Sequence, residues 1–410
     1  MSWSIGWLSF QPTVAQVGVS LSAASLLIAS ISWGWSKSAR KQHLYKTAFI
    51  ETHEYLASHQ QALRRTGGSI WPDTIVMDPP NRLLVCPGWI LNLPQPIDAV
   101  KLNLELAFTD HSDAPKSGIR YQARIFPTLG RYSASLVNDA GQGNLFDGTI
   151  YRPLNISIDD QGNIEILAGR GKYFDYLDTS EAICFARAGR IRTGKSPRIN
   201  MSAVRDPFDL RNRVASLGVN TLTIRASPIR TSFLLHGRNM NLENESSSIH
   251  VIPAGEFSPS DISPASFKTD FDLWRNIMRE YAEELLGVPE AQGRGGRSID
   301  YSLDSPYADL EAAKASGQLH AYVLGIGLDP LCLKPELLTV VIISESIFAT
   351  IFRNLVAENV EGTVISGSEG IEWTEENVNL CVSNPDTTLS ARACISLAWK
   401  NRAALRLAIF

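Results

Sequence analysis

The first 36 residues of this chain contain no charged side chain; Lys37 is the first. A cleaved signal peptide opens with a positive segment, so the absence argues against one. Cysteine is scarce and dispersed: Cys86, Cys184, Cys332, Cys381 and Cys394 form no C-x-x-C pair, and their number is odd. That pattern disfavours a disulfide framework or a zinc site and favours reduced thiols. The net charge of −4 supplies no basic excess, which excludes an electrostatic reason to expect duplex nucleic acid as a partner. His53 and His59 have no ligating partner at a useful spacing and read as surface residues.

What stands in the charge-free segment is apolar. Val14 to Trp35 is about long enough to cross a bilayer core of roughly 30 Å. Trp33 and Trp35 close it, and Lys37, Arg40, Lys41 and Lys46 follow at once. The expectation is an uncleaved single-pass anchor in the inner (cytoplasmic) membrane, touching the lipid bilayer through residues 14–35, with the bulk of the chain cytoplasmic. Gly18, Ser22, Ser25 and Ala29 share one face at small-residue spacing, which suits helix–helix contact and a homo-oligomer. The competing reading is a serine-rich core helix, because serines at 20, 22, 25, 30 and 32 lower the hydropathy.

The rest of the chain divides by pattern. Residues 1–36 form the anchor and 37–68 a juxtamembrane helix, with Tyr45, Phe49, Thr52, Leu56, His59 and Leu63 on one stripe. Residues 69–215 alternate apolar and polar positions and read as a β-rich region, including a hairpin turning at Asp159–Asn163. A helix capped by Asp178 or Thr179 follows. Gly189 to Ser196 satisfies G-x-x-x-x-G-K-[ST], a phosphate-cradle pattern. A helix precedes it rather than a strand, and Pro197 opposes a helix after it, so a basic loop is expected instead. Residues 216–410 form the last domain: strands, a glycine turn, an amphipathic helix, two more strands and two amphipathic helices. The segment between the turn and the first helix is polar and proline-punctuated, a loop.

That helix, Leu273–Gly287, carries the chemistry. Leu273, Trp274, Ile277, Met278, Tyr281 and Leu285 fall on one arc, with Glu280 and Glu284 at its rim and Glu283 just outside. Arg275 and Arg279 fall on the far side, where Arg279 would meet Glu283. Three carboxylates within a turn suit a hard divalent cation, which takes oxygen ligands and substrate phosphates. A solvated helix face would show the same residues.

Arg279-Glu280-Tyr281-Ala282-Glu283-Glu284 resembles the R-E-U-x-E-E core of the Nudix box, and Pro253-Ala254-Gly255 is similar to its P-G-G turn. The spacing from Gly255 to Arg279 is stretched relative to the family, Phe271 stands where its first glutamate is expected, and one extra residue precedes Gly287. The resemblance implies an α+β or α/β fold: a Nudix-like α/β/α sandwich, here preceded by the β-rich region and the N-terminal transmembrane helix. It implies Mg²⁺ or Mn²⁺ held by Glu280, Glu283 and Glu284, and a catalytic group of Glu280, Glu283 and Arg279. Gly255 and His250 are the expected contacts to a nucleotide-derived ligand. The activity implied is hydrolysis of nucleoside-diphosphate-type links, a pyrophosphohydrolase. The anchor combined with this domain is similar to the SMODS-associated Nudix proteins of phage defence, which implies the alternative: a catalytically inactive sensor of a nucleotide second messenger.

Overall fold

Two long, almost wholly apolar strands pair near the centre of the fold, and the remaining elements are arranged around them. The structure, a computed structural model, describes residues 14–67, 82–105, 124–126, 130–142, 145–194, 206–238, 248–261, 263–289, 299–356, 358–359, 362–365 and 367–407. The strands in chain order begin β1 Ile90–Pro96, β2 Lys101–Leu104, β3 Arg124–Phe126, β4 Gly130–Arg131, β5 Thr149–Ile158, β6 Ile164–Lys172, β7 Gly218–Ala226 and β8 Thr231–Phe233. They continue β9 Leu235–Arg238, β10 Ser248–Val251, β11 Ala254–Glu256, β12 Leu319–Leu328, β13 Pro335–Ser344, β14 Glu358–Asn359, β15 Gly362–Ile365 and β16 Ile371–Glu372. The principal helices are α1 Val14–Gly67, α2 Tyr132–Asp139, α3 Ala182–Thr193, α4 Pro264–Thr269 and α5 Leu273–Leu286. After them come α6 Tyr307–Ala315, α7 Glu345–Ile351, α8 Glu375–Ser383 and α9 Leu389–Lys400.

The main sheet runs β1-β12-β13-β7-β8-β16 and is mixed: β13 lies parallel to β7 and the other pairings are antiparallel. Strand β7 divides its outer edge between two partners, β11 on its first three residues and β8 on its last three. Strands β12 and β13 are buried along most of their length, as near-continuous apolar runs require.

Side-chain alternation shows that helices cover both faces. The Thr223 hydroxyl meets that of Tyr281 on α5 at 2.7 Å, and the Arg225 guanidinium stacks 4.5 Å from the Phe348 ring on α7. The intervening Ile224 pairs with Phe233, whose ring leads through Trp373 to Trp399 on α9. Helices α5 and α7 therefore lie on one face and α9 on the other.

The principal core joins Leu83, Trp89 and Leu91 to Leu337, Val340 and Leu397, so it includes residues on both sides of position 215/216. A second core forms where α1 docks on α3 and α2 through Phe49, Leu56 and Leu63, one side chain every two turns.

The fold expectation is corrected at its N-terminal end. Helix α1 is continuous from Val14 to Gly67, yet among the described residues no helix is long and apolar enough to cross a membrane. The single-pass anchor and its inner-membrane placement fall with that finding. The side chains of residues 14–38, on which the expected span falls, lie outside the described residues. The observed architecture is mixed α/β with several sheets. The hairpin turn at Asp159–Asn163 is present, with Asp159 accepting from the backbone of Gln161 and Asn163. The segment before α5 is not wholly loop, because Ser263 caps the short α4. Asp178 and Thr179 do not cap α3; they sit in a π-helical turn, where Asp178 accepts from Ser133 N in the first turn of α2 and Thr179 bonds Val214.

Candidate functional site

Helix α5 starts where Asp272 accepts the Arg275 N–H at 2.9 Å and stops at Gly287, whose φ of 65° ends the helix in the left-handed conformation. Its apolar arc is buried, and burial fixes its rotation about its own axis. That rotation sets the directions of Glu280, Glu283 and Glu284.

Glu280 and Glu283 are half-buried and line a cleft of about 530 Å³. Gly255 on β11 forms the surface beneath Glu280: a Cβ built there would overlap the Glu280 carboxylate. The glycine of the P-A-G turn thus allows the carboxylate to rest on the backbone. Glu284 does not line the cleft. It is buried and accepts from Arg238 at 2.9 Å and from the Ala254 N–H at 3.3 Å, tying α5 to β9 and β11.

Arg279 departs from expectation. It is buried rather than on a far side, and its guanidinium turns to Tyr301 at 2.8 Å, to Asn276 at 3.0 Å and to the Ser258 carbonyl. Asp270 lies 3.7 Å away and is itself held by Ser260 and Tyr301. Burial penalises the Arg279 charge, but Tyr301 and Asp270 outweigh that penalty and keep it charged. Phe271 packs with Tyr151 and Phe257, while Asp272 is the helix cap, so the stretch standing in for the family's first glutamate is structural.

The cleft is also lined by residues that sequence patterns did not single out. Lys334 pairs with Glu256, which also accepts from Ser216, and lies 3.9 Å from Glu336. Asn220 donates to Glu336 at 2.7 Å. Burial raises the Glu336 pKa, and Lys334 and Asn220 only partly restore it. Burial also penalises the Lys334 ammonium, yet Glu256 and Glu336 hold it charged. His250 borders the cleft, 3.0 Å from the Ser248 hydroxyl, and burial with the nearby Arg238 holds its pKa well below the usual range. His236, its cross-strand partner, is buried.

The cleft lining also includes Tyr173, Tyr176, Glu181, Asp329, Cys332 and Arg64 from the end of α1. Arg64 reaches Asp329 at 2.5 Å across 265 sequence positions. No sequence signal announces that pairing, since neither residue sits in a motif. Two expectations lie partly outside the described residues. Gly189–Thr193 is the end of α3, closed by Gly194 at φ 68°, which is unlike a strand-to-helix phosphate loop, but Lys195 and Ser196 are not described. The glycine-rich stretch 291–298 lies outside as well.

No family model matches this chain, and no curated protein matches it significantly.

Proposed function

We propose that this chain binds a phosphorylated nucleotide in the cleft through a divalent cation, Mg²⁺ or Mn²⁺, ligated by Glu280 and Glu283. The observation that carries the reading is the Glu280 carboxylate resting on Gly255 with Glu283 beside it on the same helix, both facing the cleft. Two carboxylates with room for phosphate oxygens match the ligand preference of Mg²⁺. The likeness of Arg279–Glu284 to the Nudix box supports the same chemistry. Such a cation neutralises phosphate charge and lowers the pKa of a bound water.

The chain's own residues would divide the remaining work. Lys334 lines the same cleft and would meet phosphate oxygens once its hold on Glu256 and Glu336 loosens. Glu336, with its raised pKa, is the carboxylate suited to accept a proton from an attacking water. Arg279 touches neither; it fixes α5 against the Ser258 loop and is a positioning residue. Hydrolysis of a phosphoanhydride link is the expected reaction.

A second reading, binding without turnover, is favoured by one observation: the third carboxylate of the box, Glu284, is committed to Arg238 and Ala254. Calorimetric titration of the full chain with nucleoside diphosphates, ADP-ribose and cyclic dinucleotides, with and without Mg²⁺, tests the shared claim. Chromatography of the same mixtures separates the two readings. Mg²⁺-dependent affinity with released nucleoside monophosphate supports the hydrolase, and affinity without product supports the sensor. Absence of Mg²⁺-dependent binding across the panel would end both.

A further inference from the structure

Cys184 and Cys332 are scattered in the sequence, but the fold brings them together beside the cleft. A π-helical turn, Leu177–Glu181, runs directly into α3. Such turns shift the helical register and are frequent at functional sites. They leave Glu181 and Cys184 one turn apart on the same side. Cys332 arrives on the loop between β12 and β13. One Glu181 carboxylate oxygen and the two Sγ atoms lie within 4.8 Å of one another. Two thiolates bound tetrahedrally to one zinc ion sit ~3.8 Å apart, so only a small closure separates these atoms from ligation.

The loop that carries Cys332 is held by buried cations. Asp329 accepts from the backbone of Leu331 at 2.7 Å and of Cys332 at 3.3 Å, and Arg64 holds Asp329 in turn. Arg187 donates to the carbonyls of Pro330 and Leu331, and Arg213 to that of Leu333 at 3.0 Å. Leu333 adopts a φ of 61°, a conformation that a bulky side chain rarely takes. Burial lowers the pKa of Arg187 and of Arg213 to about 10. Arg213 donates only to carbonyls and forms no ion pair among the described residues. Asp206 and Asp209 are its acidic neighbours. Two thiolates on a metal would place further negative charge beside both guanidinium groups.

We propose that Glu181, Cys184 and Cys332 form a binding site for a thiophilic divalent cation of the zinc class, with its fourth coordination position open to the cleft. Zn²⁺ displaces one proton from each thiol to solvent, and no electron is transferred. Two thiolates, one carboxylate and Zn²⁺ sum to a single negative charge, which the surrounding Arg187 and Arg213 offset. Both cysteines are buried, but Glu181 and Cys332 also line the cleft, which leaves the open position on the cleft side. Three protein ligands and one open position form the arrangement in which zinc activates water or takes a substrate atom. Its sulfur ligands set it apart from Glu280 and Glu283, which offer only oxygen to a harder ion.

The test is the metal content of the full chain, purified under reducing conditions without chelator and measured by elemental mass spectrometry. One zinc per chain is expected. The reduced protein stripped of zinc should take up Co²⁺ and develop sulfur-to-cobalt charge-transfer absorption. C184S and C332S should each lose the zinc and that absorption, and E181Q should weaken zinc affinity at least tenfold. C394S, whose thiol is buried elsewhere beside Asn220, should retain both, as should E280Q. E181Q alters a cleft-lining residue rather than the core, so it remains informative if a cysteine variant fails to fold. A wild-type chain that carries no zinc and shows no cobalt absorption overturns the proposal. So does a Cys184–Cys332 disulfide that persists under reducing conditions, or uptake that survives C332S.

Discussion

At the scale of single residues, Gly255 is the most exacting position in the cleft. Any β-carbon there meets the Glu280 carboxylate, so G255A should displace Glu280 while leaving the rest of α5 in place. The expected outcome is at least a tenfold loss of Mg²⁺-dependent nucleotide affinity, about 1.4 kcal/mol, with the circular dichroism spectrum unchanged. Arg279 behaves differently because it is buried among Asp270, Asn276 and Tyr301. Removing one partner leaves a buried charge uncompensated, so R279M should cost ~3 kcal/mol in urea unfolding. His250 gives a pH prediction. Its folded pKa lies below the unfolded value of ~6.5, so the unfolded state takes up a proton first as pH falls. Stability attributable to His250 is therefore full above that value and declines on acidification below it, by at most about 1.4 kcal/mol per pH unit. H250Q cannot titrate, and its urea midpoint should vary less between pH 7.5 and pH 5.5 than that of the wild type.

At the scale of elements, α1 is the one whose role changed most between sequence and structure. Its C-terminal half docks through Phe49, Leu56 and Leu63 and delivers Arg64 to the cleft. L56A removes a buried side chain from this interface and should cost ~2–4 kcal/mol in urea unfolding. Leu44, exposed on the same helix, should tolerate alanine within about 0.5 kcal/mol. Equal, small effects at both positions would show that α1 does not dock as described. The stripe from Phe49 to Leu63 was legible because helical periodicity is local. So was α5, whose apolar arc, acidic cap and closing glycine all lie within a few turns. The direction of Arg279 was not legible: a helical projection assigns an angle, but Tyr301 and Asp270, which capture the guanidinium, come from outside the helix. Nor was the role of Glu284, whose partners Arg238 and Ala254 are set by strand pairing. The apolar run at the N-terminus shows the reverse error. Local composition resembled a span, yet no helix among the described residues is long and apolar enough to cross a membrane.

At the scale of the molecule, the cleft is a product of topology. Its carboxylates come from α5 and β11, its lysine from the loop before β13, and other lining residues from α1, the helical turns before α3 and the loop after β12. No local pattern joins Glu181 to Cys332 or Lys334 to Glu256, because each pair meets only when the sheet assembles. This convergence makes one claim central: Glu280 and Glu283 hold a cation that holds a nucleotide, while Glu284 holds the fold. The most direct measurement is isothermal titration, in the presence of Mg²⁺, of wild type, E280Q, E283Q and E284Q with whichever panel nucleotide binds the wild type. The account predicts at least tenfold weaker binding for E280Q and for E283Q with unchanged unfolding midpoints, and a lowered midpoint for E284Q. Wild-type affinity in both E280Q and E283Q, or binding indifferent to removal of Mg²⁺, would contradict it.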